Sequence, residues 1–309
     1  TRRSSDLTRD NQYAIVGPSV HCAYASLGPN FKSGDRELGD ASMDVMGDVW
    51  AFFDRFLKGD ADAFQNKPKI RYFQMGENAW RTADQWPPKR AEEVKLYFHS
   101  SGRANSMFGD GKLSFSAPTG NEPIDSFVYD PQNPVQTIGG GDCCNGGVVV
   151  PGAFDQRPAS VRNDVLVYTS DVLKEPVAVA GFVDAILYVS SDAKDTDFAV
   201  KLVDVAPDGT AYIIDDTILR ARFREGYDRE VFMEKGKTYK LDLTPMTTAN
   251  TFMPGHRIRV EVTSSSFPKY ARNLNTGGRN EFESEGVVAT NQVKHTRSQP
   301  SYIVLPIEH

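Results

Sequence analysis

The sequence predicts a mainly β protein: a β-sandwich of many short strands, preceded by a smaller helix-bearing segment. Three observations carry this reading. From Lys69 onward apolar and polar residues alternate with a period of two, in short runs divided by turn clusters. Only one stretch, Met43 to Leu57, keeps a helical period. The joint Trp86-Pro87-Pro88 falls where one pattern gives way to the other.

The elements follow in order. Thr1 to Gln12 is polar with mixed charge and reads as a loop or frayed end. Tyr13-Ala14-Ile15-Val16, closed by Gly17-Pro18, reads as a buried strand with a turn after it. A glycine-rich polar loop continues to Gly39, and Asp40 can cap the helix that follows. In that helix Met43, Val45, Met46, Val49, Trp50, Phe52, Phe53, Phe56 and Leu57 form an apolar face packed on a core, with Gly59 as the stop. Strands are then predicted over Ile70–Met75, Val94–Phe98, Lys112–Ser116, Phe127–Tyr129, Val165–Tyr168, Ala185–Val189 and Phe198–Val205. Further strands are predicted over Ala211–Ile214, Ile218–Phe223, Thr238–Leu243, Arg257–Thr263 and Tyr302–Leu305. Pro207-Asp208-Gly209 marks a hairpin, because Asp-Gly tolerates the positive φ of a tight turn.

Composition bounds the function classes. The 309 residues carry 35 Lys+Arg against 41 Asp+Glu, a net charge of −6, with 39% hydrophobic residues. This is the balance of a soluble globular chain. With no basic stripe, nucleic acid is not the expected partner. No apolar run approaches the ~18–20 residues of a membrane span and no leader pattern opens the chain, so no membrane partner is expected. Three cysteines, Cys22, Cys143 and Cys144, give only a faint lean toward an exported protein.

Among chemical groups, His21 stands out. It follows a strand in a loop too rich in glycine to be core, where an imidazole can shuttle a proton; an ordinary loop histidine would sit there equally well. His99, His256, His295 and His309 read as surface or turn residues, and their spacing supports no metal site. Asp192, Asp195, Asp197, Asp204 and Asp208 fit solvated strand ends better than a calcium loop. Gly139-Gly140-Gly141 precedes no helix, so no phosphate cradle is expected, and no GxSxG nucleophile turn is present. No cofactor is implied.

The chain also resembles a known family. Gly17-Pro18-Ser19-Val20-His21, Ala51–Gly59, Lys69–Gly76 and Trp80-Arg81…Trp86-Pro87 occur in that family's order. So do Tyr129-Asp130-Pro131, Asp155-Gln156-Arg157, Asp164–Ser170, Asp195–Phe198, Lys201–Val205, Leu219–Phe223, Gly255–Arg259, Ser264–Pro268 and Arg272…Gly277. The family is the cocaine esterase / Xaa-Pro dipeptidyl-peptidase group of serine hydrolases, with its esterases and acylases. The resemblance implies the C-terminal portion of an α/β-hydrolase domain over 1–88 and a galactose-binding-like jelly-roll β-sandwich over 89–309. It implies that His21 is the catalytic histidine of a Gly-Pro-Trp-x-His loop, with Ser19 in place of the tryptophan. The family's nucleophilic serine and aspartate lie well upstream of that histidine; Asp6 and Asp10 stand in no such motif and are not assigned. The expected partners are therefore a small-molecule ester or amide and the missing N-terminal half, without which this chain is expected to be inactive. The competing expectation is a stand-alone sandwich that binds carbohydrate or a protein.

Overall fold

A computed structural model describes residues 11–21, 23–143 and 147–309. Strand β1 (Ala14–Val16) leads to a hairpin of β2 (Phe31–Ser33) and β3 (Arg36–Gly39), and then to helix α1 (Val45–Leu57). Strand β4 (Ile70–Gln74) returns parallel to β1, and β5 (Ala79–Ala83) pairs antiparallel to β4, giving the order β1-β4-β5. A parallel pair requires a crossover, and α1 lies within it.

Helix α1 starts one turn later than predicted. Asp44 caps it, accepting from Gly47 N at 2.8 Å, whereas Asp40 accepts from Ser42 N in the preceding loop. Gly59, at φ +78°, follows the last turn. Only part of the apolar face packs on a core. Phe52 packs on Tyr13 and Phe64, with ring centroids 6.2 and 5.6 Å away, but Met46, Trp50, Phe53 and Leu57 remain exposed, Trp50 at 64%. The helix's buried residue is Asp48, paired with Lys67 at 2.7 Å and Arg71 at 2.5 Å. Burial pushes its carboxyl up, but these cations hold it below the usual carboxylate range.

Eleven strands form one large mixed sheet. They are β6 (Ala91–His99), β7 (Lys112–Ser114), β8 (Asp125–Tyr129) and, after a short helix α2 (Arg157–Ser160), β9 (Leu166–Thr169) and β10 (Val177–Ser191). Next come β11 (Asp197–Val205), β12 (Ala211–Arg220), β13 (Tyr239–Phe252), β14 (Arg257–Thr263), β15 (Ala289–Lys294) and β16 (Tyr302–Glu308). Their order is β12-β11-β14-β9-β7-β6-β16-β10-β15-β8, with β13 also on β10; β7 and β9 pair parallel and the remaining pairs are antiparallel. One apolar cluster draws side chains from every strand, from Leu96 and Phe98 to Ile303 and Leu305. A sheet this wide can share one core only by curling on itself.

The Asp-Gly hairpin joins β11 and β12, with Gly209 at φ +87°. The two strands expected over Ala211–Ile214 and Ile218–Phe223 are one strand, β12, ending at Arg220 before a turn of 3₁₀ helix. Strands β2 and β3 occupy the stretch read as loop, and β5 and β15 lie where no strand was predicted.

The first sheet docks on the second through β4. Met75 N donates to Ala249 O and Thr251 N to Met75 O, at 3.0 and 2.8 Å, while Tyr72 and Ile70 pack on Ala180 and Ala249. Glu308 of β16 accepts from Tyr72, Arg81 and Arg90. Buried Arg36 pairs with Asp204 at 2.9 Å and donates to Asn250 Oδ1 at 2.9 Å. Replacing Arg36 with alanine leaves Asp204 buried, with His256 as its one remaining side-chain partner among the described residues. The expected loss is about 3 kcal/mol, the low end for breaking a buried pair, read from urea unfolding; a loss below ~1 kcal/mol would show the contact to be incidental.

Candidate functional site

Strand β1 ends at Val16, and the chain turns through Gly17-Pro18 into the loop that carries His21. Gly17 is required by close packing, since a Cβ there would stand 2.9 Å from the Tyr24 ring. His21 is exposed, and its ring makes no hydrogen bond among the described residues. It lines a cleft of about 440 Å³ between this loop and the large sheet. Across the cleft lie the Gly140–Cys143 loop, Ile213–Asp215 of β12 and Thr247–Ala249 of β13.

The far wall is shaped by a β-bulge. The register of β12 on β11 shifts between Leu202↔Asp215 and Val203↔Ile213, leaving Ile214 as the extra residue. A bulge re-aims side chains that strict alternation would send to opposite faces. Here Ile213, Ile214 and Asp215 all reach the cleft. Asp215 accepts from Thr247 N at 2.8 Å and Asp216 N at 2.9 Å. Burial outweighs these bonds and pushes its carboxyl up to about 6. Two hydroxyls at the cleft, Ser19 Oγ and Thr248 Oγ1, are buried without a hydrogen-bond partner among the described residues. Ser19 is thus the residue that departs from the resembled loop, and it faces the same space as His21.

The other residues singled out from sequence fall into structural roles. His295, expected at the surface, is fully buried: its Nε2 lies 2.9 Å from Asp125 and its Nδ1 3.1 Å from Glu122. His99 contacts Glu122 at 2.7 Å and half-buried His256 contacts Asp204 at 2.7 Å, while His309 is exposed near Glu92. Of the acidic runs, Asp192 and Asp208 are exposed at a strand end and a turn, as read from sequence, but the other three residues are not. Asp195, Asp197 and Asp204 are buried and pair with Arg222 of the 3₁₀ turn after β12, Arg220 opposite on β12 and Arg36 of β3. Cys143 is exposed at the cleft. Cys22, Cys144, Asp6 and Asp10 lie outside the described residues. No cluster able to hold a metal ion occurs among the described residues.

Ser100, His295 and Glu122 mimic a triad, with Ser100 Oγ 3.2 Å from Nε2. The mimicry fails chemically. The same Nε2 faces Asp125, Ser100 itself donates to Asp125, and the two carboxylates, against the opposing effect of burial, hold the imidazole protonated above its ordinary range. With each ring nitrogen directed at a carboxylate oxygen, neither is free to take the Ser100 proton.

The sequence matches the family described as the X-Pro dipeptidyl-peptidase C-terminal non-catalytic domain over residues 62–304. The chain belongs to this family. Its curated relatives include the cocaine esterase of Rhodococcus sp. (strain MB1 Bresler), 42% identical over 97% of this chain and 52% of that protein. Among solved structures, an α-amino-acid ester hydrolase superposes with a TM-score of 0.83 at 29% identity, over 96% of this chain and 50% of that one. An aminopeptidase from a marine sediment Thaumarchaeota archaeon gives 0.82 at 28%, over 96% and 49%. The chain therefore spans about half the length of the relatives it matches.

Proposed function

We propose that this chain is the C-terminal part of a serine hydrolase that cleaves an ester or amide bond, with His21 as general base. In this reading residues 1–88 complete an α/β-hydrolase sheet and residues 89–309 form a jelly-roll sandwich that walls the substrate cleft. A serine from the preceding half attacks the carbonyl, His21 takes its proton and returns it to the leaving group, and water then releases the acyl group. An aspartate from the same half holds the imidazole's tautomer.

The observation that carries the reading is the position of His21: solvent-accessible, at the end of a strand, on the rim of a cleft, its ring free to meet a nucleophile. Two further features agree. Among the described residues β1 pairs only with β4, so its other edge offers ladder groups to a further strand. The exposed apolar face of α1 fits burial against the rest of such a sheet.

The test uses the complete product of the gene that encodes this sequence. A fluorophosphonate probe is expected to label one serine upstream of Thr1, and the labelled protein is expected to lose its p-nitrophenyl ester hydrolysis. A product that takes no label and cleaves no ester would leave a binding sandwich as the surviving description.

A further inference from the structure

A second groove, of about 700 Å³, lies on the outer face of the large sheet and shares no lining residue with the His21 cleft. Its floor is β6, β16, β10 and β13, which run side by side. Alternate side chains of these strands, such as Leu96, Ala185, Leu243 and Ile303, fill the core, so their neighbours point outward. The register sets Tyr302, Ile186 and Asp242 in one row across that face. The turn after β12 forms a wall, where the rings of Phe223 and Tyr227 stand 5.9 Å apart.

The charges of the groove balance. Among the described residues three carboxylates line it, Glu93, Asp184 and Asp242, against three cations, Lys95, Arg224 and Lys240. Arg224 is spent on the carbonyls of Ala221 and Val231. Lys95 lies over the Tyr302 ring, 4.8 Å from its centre, which leaves Tyr227, 74% exposed, as the open aromatic face. Lys240 and Asp242 are exposed, stand two residues apart on β13 and so share its outer face. Neither makes a side-chain hydrogen bond or ion pair among the described residues.

A carboxylate only accepts and an ammonium only donates, whereas a hydroxyl does both. Neighbouring hydroxyls on one ligand therefore meet Asp242 and Lys240 together. An ion of either sign is held by one and repelled by the other. The negative face of a tyrosine ring attracts polarised C–H groups, which the flat side of a sugar ring presents. A peptide strand docks by adding to an open sheet edge, but here the floor is the face of paired strands whose ladder groups are already used. We infer that this groove binds a neutral oligosaccharide, with a ring face on Tyr227 and hydroxyls shared between Asp242 and Lys240. Its volume lies in the range of pockets that enclose small ligands.

Isothermal titration calorimetry on the complete gene product tests this with cellohexaose, xylohexaose, mannohexaose and maltohexaose. At least one is expected to bind with a Kd below about 1 mM. Tyr227→Ala is expected to weaken that binding roughly tenfold, the scale on which an aromatic anchor acts, and Asp242→Asn to weaken it by a smaller factor. Both side chains are exposed, so the Tm of each variant should match the parent. Hexagalacturonate, which is anionic, is expected to bind roughly tenfold more weakly than the best neutral hexamer, since Glu93, Asp184 and Asp242 face it. If no neutral hexamer binds below about 1 mM, the groove is no sugar site, and the inference is overturned without recourse to any variant. Either variant binding as the parent does would place the sugar elsewhere and overturn it equally. Hexagalacturonate binding more tightly than every neutral hexamer would overturn the choice of a neutral ligand. Calorimetry reads binding without turnover, so a protein that cleaves no ester loses the hydrolase reading and leaves this test standing.

Discussion

Alanine at position 21 is expected to lower turnover of an activated ester by roughly 10⁴-fold or more in the complete gene product, with KM changed far less. That is the scale on which removal of a base from a nucleophile–base pair acts, because the remaining donors and binding groups supply only residual acceleration. Folding should be unaffected. The ring is exposed and makes no hydrogen bond among the described residues, so its loss opens no cavity and strands no partner. Circular dichroism and Tm should therefore match the parent while kcat collapses. Turnover within about tenfold of the parent would remove His21 from the mechanism, since that is less than a displaced general base costs.

The second large effect is on stability and lies about as far from His21 in character as the fold allows. Asp125 accepts from Ala104 N at 2.9 Å, from Ser100 Oγ at 2.8 Å and from Tyr168 OH at 2.8 Å, and faces His295 Nε2 at 2.9 Å. Both Asp125 and His295 are fully buried. Asp125→Asn removes the anion and leaves a buried imidazolium with Glu122 alone, for an expected loss of about 3–5 kcal/mol. The pH dependence has a definite sign. Burial pushes His295 down, but Asp125 and Glu122 raise it above its ordinary value. Its contribution is therefore complete below ~6.5 and is lost as pH rises through the raised folded-state value. Burial pushes Asp125 up, but the bonds from His295, Ala104 and Ser100 hold it below its ordinary value. Its contribution is complete above ~3.9 and is lost as pH falls through the depressed value. The network is thus strongest between about pH 4 and 6.5. Urea unfolding of parent and variant should show a gap that narrows as pH is raised from 6 toward 9. A gap independent of pH would mean that the pair is held neutral.

What sequence reading could reach, and what it could not, divides along a physical line. Local rules found α1, whose apolar residues recur at three and four, and the hairpin at Gly209, whose φ of +87° only its turn chemistry announces. They placed His21 after a strand and beside a turn. Local rules failed where a residue's role is fixed by a partner remote in sequence. His295 stands 170 residues from Asp125, and Arg36 stands 168 from Asp204, so nothing near either residue reveals that it is buried. They also failed at interruptions within strands. Thr244-Pro245 looks like an end to β13, yet the strand continues to Phe252, because the register skips there opposite Asp184 and a bulge tolerates a residue without an N–H. Asp215-Asp216 looks like a turn between two strands for the same reason. Of the candidate site, then, the histidine was legible and the far wall was not: Asp215 and Thr248 reach the cleft only through a register shift and a strand pairing that no periodicity encodes.

The extra residue in β12 also bears on which changes this strand could absorb. A ladder alternates in steps of two, and Ile214 offsets that count once, so side chains on either side of it are out of phase with each other. Substitution at Ile214 alters one contact and leaves the offset standing. Deletion would restore an uninterrupted rhythm, with Ile213 and Asp215 as immediate neighbours pointing opposite ways, and one of them would have to abandon the cleft. Related chains should accordingly vary freely in what occupies that position but hardly at all in how many residues separate Ala211 from Arg220.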